Sequence, residues 1–261
     1  MGFLQQVIED KREQLARIKS ELPLERLQQR AREGRRRPEV GFGESLGAPG
    51  ISAIAEIKRA SPSRGMIAPG LEAGKLASAF ERAGARAVSV LTEEKYFHGS
   101  RRDLQQARAS TRLPLLGKDF VIDPYQVWLA AADGASAVLL IAGLLGPALG
   151  ELLEVCREAA VEALVEVHDR REVELAVKAG ARIIGVNCRD LDTLEVRPEL
   201  HTRLRPLLPP GVLTVAESGI KSREQVRRLE MLGYHAFLVG ESLAGSPDPA
   251  RRLRELLGRE G

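Results

Sequence analysis

The chain has 261 residues, 44% of them hydrophobic, with 39 basic and 36 acidic side chains for a formal net charge of +3. That length suits one large domain or two small ones, and the composition excludes a disordered chain. The small positive excess does not by itself indicate nucleic acid, and no apolar run is long enough to cross a bilayer.

The first segment, MGFLQQVIEDKREQLARIKSEL, carries acids and bases throughout and no cleavable apolar core, so no signal peptide is expected. Leu4, Ile8, Leu15, Ile18 and Leu22 fall at helical spacing, and a basic stretch, REGRRRPEV, follows. Residues 1–48 are therefore expected to form a helical extension, an added helix capping one end of the main domain, with a solvated linker after it. An RNA-binding arm is the alternative, but no aromatic side chains interleave the basic ones. Two cysteines, Cys156 and Cys188, lack metal-ligand spacing and fit a reduced cytoplasmic setting.

From residue 49 onward, strands and helices alternate. ISAIAEIK comes first. AGARAVSVLTEE from Ala83, DGASAVLLIAG from Asp133, AGARIIGVNCRD from Ala179 and LGYHAFLVGES from Leu232 share one pattern, a glycine helix stop before an apolar strand. LPLLGKDFV, VEALVEVHD and GVLTVAESGI lie between them. LEAGKLASAFERAG, DPYQVWLAAADG, ALGELLEVCREA, REVELAVKAG and SREQVRRLEMLG have apolar residues at helical spacing, with Asp123-Pro124 and Ser222 as helix starts. Strands apolar on both faces that alternate with helices imply a parallel sheet. Eight such units over residues 49–261 predict a (β/α)8 TIM barrel. No G-x-G-x-x-G follows the first strand, which argues against an open doubly wound sheet.

Such barrels gather their reactive groups at the C-terminal ends of the strands. Those ends read Glu56 and Lys58, Thr92 and Glu93, Lys118 and Asp119, Glu166 and His168, Asn187 and Arg189, Glu217 and Ser218, then Gly240-Glu241-Ser242. Glu56 and Lys58 lie two residues apart and share a face of their strand. One buried pair could be structural. Five strands bringing polar or ionisable groups to one rim point to acid–base chemistry.

Residue usage adds to this. Arg outnumbers Lys by 31 to 8, yet Lys58 and Lys118 sit at strand ends, where an amine can exchange its proton and a guanidinium cannot. Asn187 is the only asparagine. Leu139, Phe97 and Phe120 would form an apolar wall. Ser218-Gly219 and Gly240-Glu241 put glycines in the loops after strands seven and eight, the usual phosphate site of this fold. Glu241 is awkward beside a phosphate and its side chain is expected to turn away. His168 reads as the boundary of helix five, Cys188 as a core residue facing the helices, and the histidines show no metal-ligand spacing.

In this order AEIKRASPSRG, LTEEKYFHGS, LLGKDFVIDPYQV, LVEVHD, IGVNCRDL, VAESGI and FLVGESL closely resemble the indole-3-glycerol-phosphate synthases of tryptophan biosynthesis, from about residue 50 to 245. The N-terminal extension also resembles theirs. The resemblance implies ring closure of 1-(2-carboxyphenylamino)-1-deoxyribulose 5-phosphate with loss of CO2 and water, without cofactor or metal.

It further implies that Lys118 is the general acid. Glu166 would be one partner in the dehydration, and Glu56 with Lys58 would supply or position the other. Asn187 and Glu217 would meet the ribulose hydroxyls, and Arg189 or Lys58 the ring carboxylate. Phe97, Phe120 and Leu139 would pack on the ring. Ser218, Gly219, Gly240, Glu241 and Ser61, in the loop that would close over the mouth, belong to the substrate-binding side. A sugar-phosphate substrate, no nucleic acid, no membrane and a monomer complete the expectation. Phosphoribosylanthranilate isomerase, a related phosphate-binding barrel, is the nearest rival, but its chemistry needs a Cys near the first strand, and none is there.

Overall fold

The computed structural model describes residues 2–33 and 38–259. Four residues of the basic stretch, Gly34 to Arg37, lie outside the described residues, and with them the RNA-arm alternative. Three helices come first: α1 (Phe3–Glu21), α2 (Leu24–Glu33) and α3 (Phe42–Leu46). The alternation then begins. β1 (Ser52–Ile57) leads to α4 (Ala73–Ala83), β2 (Ala87–Leu91) to α5 (Arg101–Ser110), and β3 (Leu115–Lys118) to α6 (Pro124–Ala132). β4 (Ala137–Ile141) leads to the short α7 (Ala142–Leu145) and to α8 (Leu149–Glu158), β5 (Glu162–Val167) to α9 (Arg170–Lys178), and β6 (Ile183–Asn187) to α10 (Glu199–Leu204). β7 (Leu213–Glu217) leads to α11 (Arg223–Met231), and β8 (Ala236–Val239) to the short α12 (Glu241–Ala244) and α13 (Pro249–Leu257).

The eight strands close into one parallel barrel, β1 pairing with both β8 and β2. The expected TIM barrel is the observed fold. Helix starts follow local chemistry. Asp123 accepts the Tyr125 N–H with Pro124 in the first turn, and Ser222 and Gln225 form a reciprocal capping box. α5 had no recognised pattern because Leu104 is its one large apolar residue; the Ser100 cap and burial of Leu104 and Ala107 hold it.

Side chains alternate strictly across the strands. Ile54, Leu116, Leu139, Leu164, Val215 and Leu238 pack together inside the barrel, whereas Ala53, Ala55, Val88, Val138, Val165 and Phe237 pack outward among the helices. Glu56, Lys118, Glu166, Asn187 and Glu217 fall on the inward count. The same parity that buries the inner core therefore carries these polar groups to the mouth.

The extension does more than cap one end. α3 closes the floor: Phe42 and Leu46 are fully buried in the inner cluster. There Gly43 N–H donates to Glu162 at 3.0 Å and Ser45 Oγ to the Arg86 carbonyl at 2.6 Å. α1 lies at the opposite end, along the mouth. Leu4 N–H donates to Asp192 at 3.3 Å, Tyr96 Oη to Asp10 at 2.5 Å, and Lys11 pairs with Asp119 at 2.7 Å. The apolar spacing showed a face to bury but not where it would dock, because the anchor that decides this, Lys11, is a charged residue on that same face, buried between Val7 and Leu15. No described helix is long and apolar enough to cross a membrane.

Lys11 is 3% exposed, and Asp119 also accepts from Thr92 Oγ1 at 3.0 Å. Lys11→Ala leaves that carboxylate without its cation, and charged hydrogen bonds of this kind contribute about 1.5–3 kcal/mol. Thermal unfolding of the variant is expected to show a lower midpoint by several degrees; an unchanged midpoint would show that α1 is held without this pair.

Candidate active site

A cavity of about 390 Å³ opens at the C-terminal ends of the strands. Glu56, Lys58, Phe97, Lys118, Phe120, Leu139, Glu166, Asn187, Arg189, Ser218, Gly219, Gly240 and Glu241 all line it. Two expected members do not. Ser61, in the loop after β1, turns its hydroxyl toward Ser63 Oγ at 3.4 Å. Glu217 ends β7 in register with Asn187, yet it is wholly buried and does not reach the cavity.

The Glu56–Lys58 pair belongs to a three-body cluster. Glu56 Oε1 meets Lys58 Nζ at 2.8 Å and Oε2 meets Lys118 Nζ at 3.0 Å. Glu217 approaches the same ammonium at 3.6 Å. Burial opposes the charge on Glu56, but the two lysines outweigh it and pull its carboxyl down to about 2. Burial likewise opposes the charge on Lys118, yet Glu56, Glu217 and Glu166 hold its proton well above the usual amine range.

The remaining two carboxylates are driven apart. Burial and the neighbouring Glu166 push Glu217 up to about 8, and neither of its oxygens has a hydrogen-bond partner among the described residues. Glu166 is equally buried, but His168, Lys118 and Asn187 overcome that burial and hold its carboxyl below the usual range. At neutral pH one is a base and the other carries a proton. Unequal neighbouring acids of this kind mark acid–base sites.

Sequence reasoning missed His168 as a member. It does precede the helix, as expected, since Asp169 is the α9 cap. Its ring, however, lies between Glu166 and Glu172, at 3.2 Å and 3.0 Å. The i, i+2 parity that linked Glu56 to Lys58 also links Glu166 to His168 and could have found it.

The apolar wall stands on β2 to β4. Phe97 and Phe120 rings lie 6.3 Å apart, and Glu93 builds the turn beneath Phe97 by accepting the N–H groups of Lys95, Tyr96 and Phe97. Across the mouth, Ser218 and Gly219 both take left-handed backbone, φ 65° and 74°. For serine that conformation is strained, and strain of this kind concentrates at ligand sites. Successive residues with such backbone can turn their N–H groups toward an anion.

Glu241 does not turn away. It accepts from Arg189 at 2.7 Å and faces Arg64 of the loop after β1 at 3.5 Å. Two guanidiniums neutralise it, so the carboxylate is tolerable at this rim. Cys188 is buried with its thiol pushed up to about 11 by that burial, donating to the Ser218 carbonyl at 3.3 Å. It is a packing residue, as expected.

Two glycines make room for the carboxylates. A Cβ on Gly240 would overlap Glu56 Oε1, and one on Gly185 would overlap Glu217 Oε1.

The indole-3-glycerol phosphate synthase family pattern matches residues 4–256. Proteins named indole-3-glycerol phosphate synthase from Dehalococcoides mccartyi and Carboxydothermus hydrogenoformans are 44% and 42% identical, each over 98% of this chain and 100% and 99% of their own length. Among solved structures, 3-hexulose-6-phosphate synthase from Salmonella typhimurium superposes with a TM-score of 0.63 at 15% identity, over 80% of this chain and all of that one. That likeness shows the barrel alone.

Two outcomes are expected. Gly240→Ala displaces Glu56 from its two lysines and lowers turnover on the order of 100-fold, the scale of lost acid–base catalysis, while circular dichroism stays native. Glu217 binds its proton more tightly folded than unfolded, where it titrates near about 4.3. Its stabilisation is complete below that value and is lost as pH rises toward about 8. Glu217→Gln removes this loss, so melting temperatures of variant and parent should diverge in the variant's favour from pH 5 to 8. Parallel curves would show that Glu217 is ionised throughout.

Proposed function

The chain belongs to the indole-3-glycerol phosphate synthase family, and from that premise we propose how its mouth performs the ring closure. The substrate is 1-(2-carboxyphenylamino)-1-deoxyribulose 5-phosphate, and the products are indole-3-glycerol phosphate, CO2 and water, in tryptophan biosynthesis.

The observation that carries the assignment of roles is Lys118, whose ammonium enters the cavity while held by Glu56 and Glu217. The aromatic ring packs on Phe97, Phe120 and Leu139. Ser218, Gly219 and Gly240 receive the phosphate. Lys58 and Arg189 are the cations available to the substrate's anionic groups. Asn187 faces the sugar hydroxyls. With both ends anchored, the ring carbon and the ketone are held together, which replaces a costly encounter with a prepaid one.

As the ring carbon attacks the ketone, its π electrons form the new bond and negative charge develops on oxygen. Lys118 supplies a proton there; an alkoxide is a stronger base than an amine, so the transfer is favourable despite the firm hold of Glu56. The bond to the carboxylate then breaks, CO2 leaves, and its electrons return to the ring. In the final step the new hydroxyl takes a proton from Lys58 and departs as water, while Glu166 takes the proton lost from the adjacent carbon beside the ring nitrogen.

Glu217, which does not reach the cavity, acts through Lys118 and does not touch the hydroxyls. Glu56 orients both lysines. Ser61 contributes through its loop, which the Arg64–Glu241 contact brings over the mouth.

Two unpaired buried cysteines support a reducing cytoplasmic location.

Incubation with the carboxyphenylamino sugar phosphate should give indole fluorescence. Lys118→Ala is expected to cut turnover at least about 100-fold with native circular dichroism. Near-normal turnover would remove Lys118 from the mechanism.

A further inference from the structure

His168 sits at a boundary between two spaces. On one side Glu166 lines the mouth cavity; on the other, His168 itself lines a separate cavity of about 430 Å³ with Asp169, Arg170, Asp190, Arg197 and Arg203.

Both ring nitrogens face carboxylates. Nδ1 lies 3.0 Å from Glu172 Oε2, and the His168 backbone N–H donates to the same oxygen at 2.8 Å. Nε2 lies 3.2 Å from Glu166 Oε1. A neutral imidazole has one donor and one acceptor nitrogen, so one carboxylate would face a lone pair. Only the imidazolium suits both. Burial opposes this charge, but Glu166 and Glu172 outweigh it and raise the ring to about 10.

Glu172 is itself fixed. It occupies space that a side chain on Gly143, in α7, would fill, since a Cβ there would overlap Oε1. α7 and α9 thus hold the clamp from outside the barrel. The Nε2 contact is at ionic range and is not aligned as a hydrogen bond, so the ring holds the buried Oε1 by charge alone.

We propose that His168 is a positioning residue for Glu166: clamped by Glu172, its imidazolium fixes the Glu166 carboxylate and keeps it ionised for the dehydration step. The inference rests on the assignment of Glu166 as the base. It explains why Glu166 and Glu217, equally buried and sharing Lys118, differ in state. The groups facing Glu166 are Lys118 from β3, Asn187 from β6, Glu217 from β7 and His168; of the two cations, only His168 is not also shared with Glu56. Without it, proton binding by Glu166 moves upward.

The pH profile of kcat tests this. In His168→Gln the acid limb should move up by at least one pH unit, so that kcat at a fixed pH on that limb falls at least 10-fold while KM changes less than threefold. Glu172→Gln should move the limb the same way by less. An unshifted acid limb in His168→Gln overturns the proposal, whereas full turnover in Glu166→Gln overturns the base assignment instead. Should His168→Gln fail to fold, NMR titration of the imidazole in the intact enzyme decides. A ring still charged at pH 8 supports the clamp, and one titrating near its ordinary value overturns it.

Discussion

A carboxylate that is almost completely buried survives only if cations and dipoles replace the water it has lost. Glu56 is the clearest instance. It is 3% exposed and reaches two ammonium groups with its two oxygens. That bidentate contact fixes the spacing of Lys58 and Lys118, and everything proposed for the mouth follows from where those nitrogens sit. Glu217 then completes the cage, and its own charge is suppressed by burial and by the proximity of Glu166. The site is a balance of like and unlike charges in which moving any member alters the protonation of the rest.

Space for these carboxylates comes from residues with no side chain. Gly185 lies on β6 and Gly240 follows β8 as the cap of α12; neither has a positive φ, so glycine is not required there for a left-handed turn. Their value is volume. Gly240 was expected to matter through its N–H, and in the phosphate role it still can. Glu56 gives it a second reason that no local pattern announces, because the overlapping atom arrives from the neighbouring strand. Gly143 does the same for Glu172.

The barrel itself was legible because its signal is periodic: a glycine stop, an apolar strand and a helix, repeated. Most site residues were legible because strand parity aims i and i+2 together, and because β-strand ends are where this fold keeps its chemistry. Depth was not legible. Glu217 and Asn187 are at equivalent strand ends and pair in register, yet Asn187 lines the cavity and Glu217 does not reach it. Nor was His168, whose importance depends on Glu172 arriving one helical turn later. The Lys11–Asp119 pair joins residues too far apart in sequence for any motif to link them. Resemblance to a family located the rim; only the coordinates separated what touches the cavity from what supports it.

The wrapping of the extension from mouth to floor constrains the order of assembly. Leu4 bonds to Asp192 across 188 residues and Gly43 to Glu162 across 119. Contacts this distant in sequence are entropically slow to form. The leading helices therefore have no complete docking surface until at least six of the eight strands exist, and the segment seated last in folding is the one that comes first in the chain. Closure of the barrel and docking of its first helix are accordingly late, coupled events, and a half-made barrel would leave the apolar face of α1 exposed to other chains.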